Sequence, residues 1–304
     1  MSGYEVEPVT DTIAFGEGPH WSVEEQALYF VDFFEQLVRR YHPETSTHTK
    51  LHIEGGPVTM VVPHKTEKNT FVVSIGLTLA AVTWPDPTQD FSVSAEDIRI
   101  LATVEQDLPD NRFNDGKCDA IGRLWAGTMS QAEEPDHMGN LYRLDIDRTI
   151  TKVVEKLTYS NGLAWSEDNA TMYHVDTLEY KVNAFDFDLT TGALSGRRVV
   201  FDFAEAGLSP AQPDGMTIDT DGNLWVAGYG VGTVYNIDPS DGKILRMVDQ
   251  LPAQEITSVS WGGSDLDQLF VTCGNGPVLK VTGLGVKGRP AASCTVDIST
   301  VRGQ

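Results

Sequence analysis

The sequence predicts an all-β chain folded as a six-bladed β-propeller, with four-stranded antiparallel blades around a central channel. Three observations carry that reading. Short β-branched and aromatic runs bounded by Gly, Pro, Asn and Asp recur along all 304 residues, whereas long helix-period patterns are hard to find. A unit of strand, tight turn and strand returns six times in the same order. Successive units begin 41, 56, 47, 53 and 43 residues apart, close to the roughly 40 to 50 residues that a four-stranded blade uses. A β-sandwich or two stacked β domains would also show many short strands, but neither has a reason to show six similar periods.

The units run as follows. Their first strands start near Glu17 (EGPHW), Val58 (VTMVV), Asn114 (NDGKCD), Asn161 (NGLAW), Asp214 (DGMTID) and Thr257 (TSVSW). The second strands are expected at residues 27–32, 70–75, 124–128, 171–176, 224–227 and 269–272. The fifth unit, PDGMTIDTDGNLWVAG (213–228), is the clearest, because Asp221-Gly222-Asn223 supplies the positive φ that a short hairpin turn requires. Third and fourth strands follow at 37–41 and 49–53 in the first unit, at 181–188 and 198–203 in the fourth, and at 233–238 and 244–248 in the fifth. No Pro-, Gly- or Ser-rich linker divides the chain, so residues 1–304 are expected to be one domain. The last stretch, 291–304, has weak periodicity, and pairing of one chain end with the other to close the ring is left open.

With 44 acidic against 22 basic residues, the formal charge is −22. That field repels nucleic acid and anionic membranes and draws cations towards an acidic concavity. Cys118, Cys273 and Cys294 are odd in number and far apart, which argues for a reducing compartment rather than a disulfide framework. The first residues lack the apolar core of a secretory signal, and no run is long enough to span a bilayer. The expectation is a cytoplasmic protein, a monomer or weak dimer, acting on a small molecule.

In a propeller the innermost strands line the channel, so equivalent starts converge near one end of its axis. The six starts carry Glu17, Val58, Asn114, Asn161, Asp214 and Thr257. Oxygen donors of this kind suit a hard divalent cation such as Ca²⁺, Mg²⁺ or Mn²⁺, and the absence of Cys or paired His among them argues against structural zinc. Zn²⁺ held by oxygen ligands and waters stays among the candidates. The plainer alternative is that Asn and Asp before Gly cap turns, their commonest task; recurrence at one repeat phase argues against it for the set.

The same residues sit in phrases that resemble those of the SMP-30/gluconolactonase/luciferin-regenerating-enzyme family: GEGPHW (16–21), NRFNDGK (111–117), GRLWAGTM (122–129), SNGLAWS (160–166), PDGMTID (213–219), GNLWVA (222–227) and VTGLGVKG (281–288). The likeness runs in order along nearly the whole chain. It implies a six-bladed propeller with one divalent metal in the channel and hydrolysis of sugar lactones, and calcium binding in animal members. Carried over by residue, it implies metal ligands at Glu17, Asn161 and Asp214 and substrate contacts at Arg112 and Asn114, with Asp115 alongside. Polarisation of a lactone carbonyl by the metal would then be paired with Asp214 as general base; His20 is the alternative base. The chain departs from the family in two places. Residues 130–138 (SQAEEPDHM) form a short acidic loop where relatives carry a lid, from which Glu133 or Glu134 is expected to reach substrate, and 273–278 (CGNGPV) replaces a longer excursion. Two other activities share this scaffold: hydrolysis of a different substrate, of the luciferin-regenerating or organophosphate type, and non-enzymatic calcium-binding regulation. No EF-hand loop is present, so any calcium affinity falls to the channel residues.

Overall fold

The computed structural model describes residues 3–132 and 137–299. Their regular secondary structure is β-strand, apart from one turn of 3-10 helix at Ala95–Asp97. After β1 (Glu5–Pro8), an antiparallel run is made by β2 (Ile13–Ser22), β3 (Ala27–Asp32), β4 (Leu37–His42) and β5 (Thr47–Ile53). The next sheet is β6 (Val58–Pro63), β7 (Thr70–Ile75), β8 (Thr78–Thr83) and β10 (Arg99–Thr103), while the short β9 (Phe91–Val93) lies parallel to β5. Two more four-stranded sheets follow. The first is β11 (Asn111–Cys118), β12 (Leu124–Ser130), β13 (Gly139–Leu144) and β14 (Ile150–Leu157); the second is β15 (Ser160–Trp165), β16 (Thr171–Asp176), β17 (Lys181–Asp188) and β18 (Ala193–Asp202). Then come β19 (Gln212–Ile218), β20 (Leu224–Tyr229), β21 (Thr233–Asp238) and β22 (Lys243–Val248), paired in order. Finally β23 (Glu255–Gly262), β24 (Gln268–Gly276) and β25 (Leu279–Thr282) pair in order. The strand needed to complete this last set is β1, which pairs antiparallel with β25 through Glu5↔Thr282 to Pro8↔Leu279. The first strand of the chain therefore closes on the last, and residues 283–299 continue beyond that sheet.

The first strands β2, β6, β11, β15, β19 and β23 touch one another in a closed cycle. Each later strand lies further from that ring, and burial follows. Every residue of β3 is buried, because both of its faces pack on neighbouring sheets, while β22 on the outside is largely exposed. This is why the second strands read in sequence as near-continuous apolar runs instead of alternating ones. Aromatic pairs close the seams between sheets. Trp225 meets Trp261 edge-on at 5.2 Å, Trp21 stacks on Phe270 at 5.3 Å, and Tyr29 lies 4.8 Å from Phe71. Truncating one such fully buried Trp to Ala typically costs about 3–5 kcal/mol. Gly222 (φ 87°) occupies the left-handed turn position expected of it, and Gly242 (φ 68°) takes the same conformation between β21 and β22.

The C-terminal segment is not a strand. It crosses one face of the ring, where Gly288 bridges to Asp219, Cys294 to His64, and the Thr295 amide donates to the Gly122 carbonyl. Among the described residues no helix is long and apolar enough to cross a membrane.

Candidate functional site

Each first strand carries a local slip in its pairing, and the slips fall where the sequence repeat placed its starts. In β11 the register jumps between Phe113 and Gly116, in β15 between Ser160 and Leu163, in β19 between Pro213 and Met216, and in β23 between Ile256 and Ser258. Asn114, Asn161, Asp214 and Thr257 are thus the first unpaired residues of β-bulges, a device that re-aims a side chain away from the sheet's normal alternation. The corresponding residues in β2 and β6 are Gly18 and Thr59, since there the slips begin after Glu17 and Val58. The repeat phase read from sequence therefore sets Glu17 and Val58 one residue early. A single extra backbone unit in a bulge does not disturb the apolar pattern on either side, so sequence spacing alone does not register the difference.

Glycine follows two of these residues for a packing reason, and neither is a turn. A Cβ on Gly162 would stand 2.7 Å from the Asp214 carbonyl oxygen and 2.6 Å from the Met216 nitrogen; one on Gly215 would meet Ser258 Oγ at 2.0 Å. Asn-Gly and Asp-Gly here let neighbouring first strands approach closely, which brings Asn161 and Asp214 together.

The side chains at this level form a charged, under-bonded cluster. Asn161 donates from Nδ2 to Thr177 Oγ1 at 3.0 Å, and Thr177 in turn donates to the Pro213 carbonyl at 2.8 Å. With its amide thus turned, Asn161 Oδ1 is buried without a hydrogen-bond partner, as are Asp214 Oδ1 and Asp115 Oδ2. Asp115 Oδ1 accepts from the Gly116 amide at 2.7 Å, and Glu17 Oε2 from the Gly18 amide at 2.9 Å. Burial, aided by the nearby Asp115 charge, pushes the Glu17 carboxyl up to about 8, against the opposing pull of the Gly18 amide, Arg112 and Lys117. Burial also raises Asp214 well above the usual carboxylate range, and Glu17 and Asp115 add to it. Asp115 rises for the same first reason, desolvation. Three carboxyls that resist ionisation chiefly because they are desolvated, two of them with an oxygen that lacks a donor, form a set that a cation would relieve. The donor set is mixed: among the described residues no three His, Cys, Asp or Glu side chains stand together as a chelating group, and the third oxygen comes from a carboxamide.

Arg112 is the cation beside them. Its Nη1 donates to Asn114 Oδ1 at 2.6 Å and to the Phe113 carbonyl at 3.0 Å, and its guanidinium lies over the Phe33 ring at 4.8 Å. Burial draws its pKa down to about 10, while the charges of Glu17, Tyr159 and Asp214 work the other way. Asn114 donates from Nδ2 to the Ser160 carbonyl at 3.0 Å, which ties β11 to β15 and fixes the oxygen that orients Arg112. Glu133 and Glu134, expected to reach substrate, lie outside the described residues. His20 does not join the cluster. Burial, with Lys117 adding to it, holds its ring neutral, with a pKa of about 3, and it lines a cavity of about 560 Å³ under residues 289–295 that Asp115 and Lys117 also line.

Sequence reasoning passed over three contributors. Lys117 sits inside a quoted motif; its ammonium donates to the Met216 carbonyl and acts electrostatically on both Glu17 and Asp115. Thr177 and Phe33 carry no sequence signal at all, because they act through neighbours brought in by folding.

A closed ring of strand sets with an acidic, oxygen-rich centre at one end defines the propeller-like class of protein. The SMP-30/gluconolactonase/LRE-like region matches residues 15–275, and the chain belongs to this family. It is 38% identical over 307 residues to regucalcin of Xenopus laevis, covering 95% of this chain and 97% of that one. Against regucalcin of Homo sapiens the identity is 36% over 307 residues, covering 95% and 97%. Among solved structures, a luciferin-regenerating enzyme superposes with a TM-score of 0.90 at 34% identity, over 96% of this chain and 100% of that one. A calcium-binding regucalcin from Agrobacterium tumefaciens shares the fold, with a TM-score of 0.83 at 22% identity over 95% and 97%. A gluconolactonase from Xanthomonas campestris does so at 0.72 and 20%, over 92% and 89%.

Proposed function

We propose that this chain is a single six-bladed propeller domain, residues 1–304, acting as a divalent-cation-dependent hydrolase of lactones. The closed cycle of six first strands supports the blade count. The observation that carries the activity is the juxtaposition of donor-less oxygens on Asn161, Asp214 and Asp115 with the buried guanidinium of Arg112. An ion buffer needs the first of these but not the second.

Glu17, Asn161 and Asp214 would hold the ion, with Ca²⁺, Zn²⁺, Mg²⁺ and Mn²⁺ as candidates. When bound, such an ion supplies Lewis-acid polarisation of a carbonyl and favours deprotonation of a water. The protein's own residues do the rest. Arg112, aimed by Asn114 and braced on Phe33, forks two donors onto substrate oxygens and fixes the lactone's orientation. Asp214 takes the proton of the attacking water, so that hydroxide adds to the lactone carbonyl carbon. When the tetrahedral adduct collapses, the ring C–O bond breaks, and the proton passes from Asp214 to the departing alkoxide, giving the hydroxy acid. Arg112 and Lys117 offset negative charge as it develops on the adduct.

The test is hydrolysis of a lactone panel after chelation and re-addition of each ion in turn. Ion-dependent turnover is expected. Metal-independent turnover rejects the ion-dependent mechanism, and none with any lactone and ion rejects the hydrolase. In the latter case the calcium-binding regulatory reading, supported by the calcium-binding character named for the Agrobacterium tumefaciens regucalcin, takes its place.

A further inference from the structure

Most large apolar side chains exposed on this molecule lie on outer strands or loops, such as Ile100 on β10 and Val199 on β18. Phe34 differs. It is 63% exposed, yet its ring belongs to a packed group of three. Phe33 meets it edge-on at 4.7 Å, Phe15 lies 5.6 Å from Phe34, and Phe15 lies 6.2 Å from Phe33. The group is fixed at its base. Asp32, fully buried, accepts the Phe15 amide at 3.3 Å and the Arg39 guanidinium at 2.7 Å, and the Phe33 amide donates to the Phe15 carbonyl at 2.9 Å. The turn that carries both phenylalanines closes through the Gln36 amide to the Phe33 carbonyl at 3.3 Å.

The inner ring of this group is the one that carries Arg112 on its face, and Phe15 stands two residues before Glu17 in the same strand. The aromatic group is thus continuous with the substrate arm and one carboxylate of the cluster. An exposed ring held rigidly at the rim of a polar site costs little conformational entropy to cover, and covering it removes apolar area from water.

We propose that Phe34, with Phe15 behind it, forms an apolar subsite beside Arg112, so that the preferred substrates are lactones bearing or fused to an aryl or comparably bulky apolar group rather than polyhydroxylated sugar lactones. The proposal rests on the hydrolase reading for its chemistry, but its geometric claim is about binding. Arg112 takes the ester oxygens, and the Phe34 ring packs against the substituent in offset or edge-on contact, an interaction worth roughly tenfold in affinity.

The experiment compares wild type with Phe34→Ala, divalent ion restored, on dihydrocoumarin and D-glucono-δ-lactone. Binding of hydrocarbostyril, the lactam that matches dihydrocoumarin in shape but resists hydrolysis, is measured in parallel by calorimetry. The substitution is expected to lower the ratio of kcat/KM for dihydrocoumarin over gluconolactone about tenfold, and to weaken hydrocarbostyril by a similar factor, with Phe34→Tyr restoring both. Turnover of both lactones with an unchanged ratio overturns the subsite and leaves the hydrolase standing. Absence of turnover with either lactone, alongside Phe34-dependent lactam binding, rejects the hydrolase and upholds the subsite. Lactam binding that is absent, or equal in wild type and Phe34→Ala, overturns the subsite.

Discussion

Asp214 and Asp219 stand five residues apart in one repeat unit, and both are buried, at 7% and 0% exposure. Their surroundings are opposite. Asp219 Oδ1 accepts the amides of Asp221 and Asn223 at 3.0 and 2.8 Å, and Oδ2 accepts Trp225 Nε1 at 2.9 Å. Asp119, in the sister unit two sheets earlier, repeats the pattern with the Ile121 and Arg123 amides, the Arg123 Nε and Trp125 Nε1. Asp214 has an oxygen with no donor and two other carboxyls acting on it. Burial alone does not separate a structural acid from a reactive one; the count of donors does. An acid whose lone pairs are all taken ties a hairpin together, whereas one left short is held there by the fold against its own electrostatics and is free to bind a cation or a proton.

The contrast is broken most directly at its reactive end. Asp214→Asn is expected to lower kcat by about 10²–10⁴-fold while leaving the melting temperature of the chelated protein unchanged or higher, because a buried carboxyl that resists ionisation is replaced by a neutral group of the same shape. Steady-state kinetics and a thermal melt on the same preparation check both halves. Full turnover in this variant with the ion bound would remove the base assignment.

At the structural end the outcome should invert. Asp219→Ala removes the acceptor from a buried turn and leaves the Asp221 and Asn223 amides and Trp225 Nε1 unpartnered, so a loss of about 3 kcal/mol in denaturant unfolding is expected, with kcat/KM per folded molecule little altered. Asp119→Ala should behave alike. A stability loss at Asp214 as large as at Asp219 would erase the distinction.

A smaller effect sharpens the reactive side. Arg112→Lys keeps the charge but loses the Nη1 bond to Asn114 Oδ1 and the flat contact with Phe33, and roughly a tenfold fall in kcat/KM follows from losing one oriented contact. An unchanged value would show that charge alone serves.

The last effect concerns pH. The folded-state pKa of Glu17 is raised to about 8, chiefly by burial, above its unfolded value. Its contribution to stability is therefore present in full below the ordinary carboxylate range and is lost as pH rises towards about 8. Melts of the chelated protein across that window should show a decline, and Glu17→Gln should flatten it. A decline of equal slope in the variant would assign the dependence to other groups.

Much of this was legible beforehand because the signals are local. Runs such as 27–32, 70–75 and 171–176 coincide with strands β3, β7 and β16, since apolar runs, β-branching and turn residues are properties of adjacent residues. Strand ends were less so: β12, β20 and β24 extend beyond the expected runs into residues such as Ser130, Tyr229 and Gly276, whose pairing partners set the boundary. The closure of β1 on β25 joins the first strand to the last, and no local pattern encodes it.

By itself, the sequence determined the repeat, its turns and the residue types gathered at one phase, including Asn114, Asn161 and Asp214, because a bulge recurring in each unit leaves the same mark at the same spacing. Only the tertiary structure decided which of those residues are left short of donors. It offset Glu17 by one position, turned Asn161 Oδ1 outward through Thr177, slid Phe33 beneath Arg112, and set Lys117 beside Glu17 and Asp115. The physical reason is that hydrogen-bond satisfaction and desolvation depend on neighbours across space, and in a closed ring those neighbours come from other strand sets, often far along the chain.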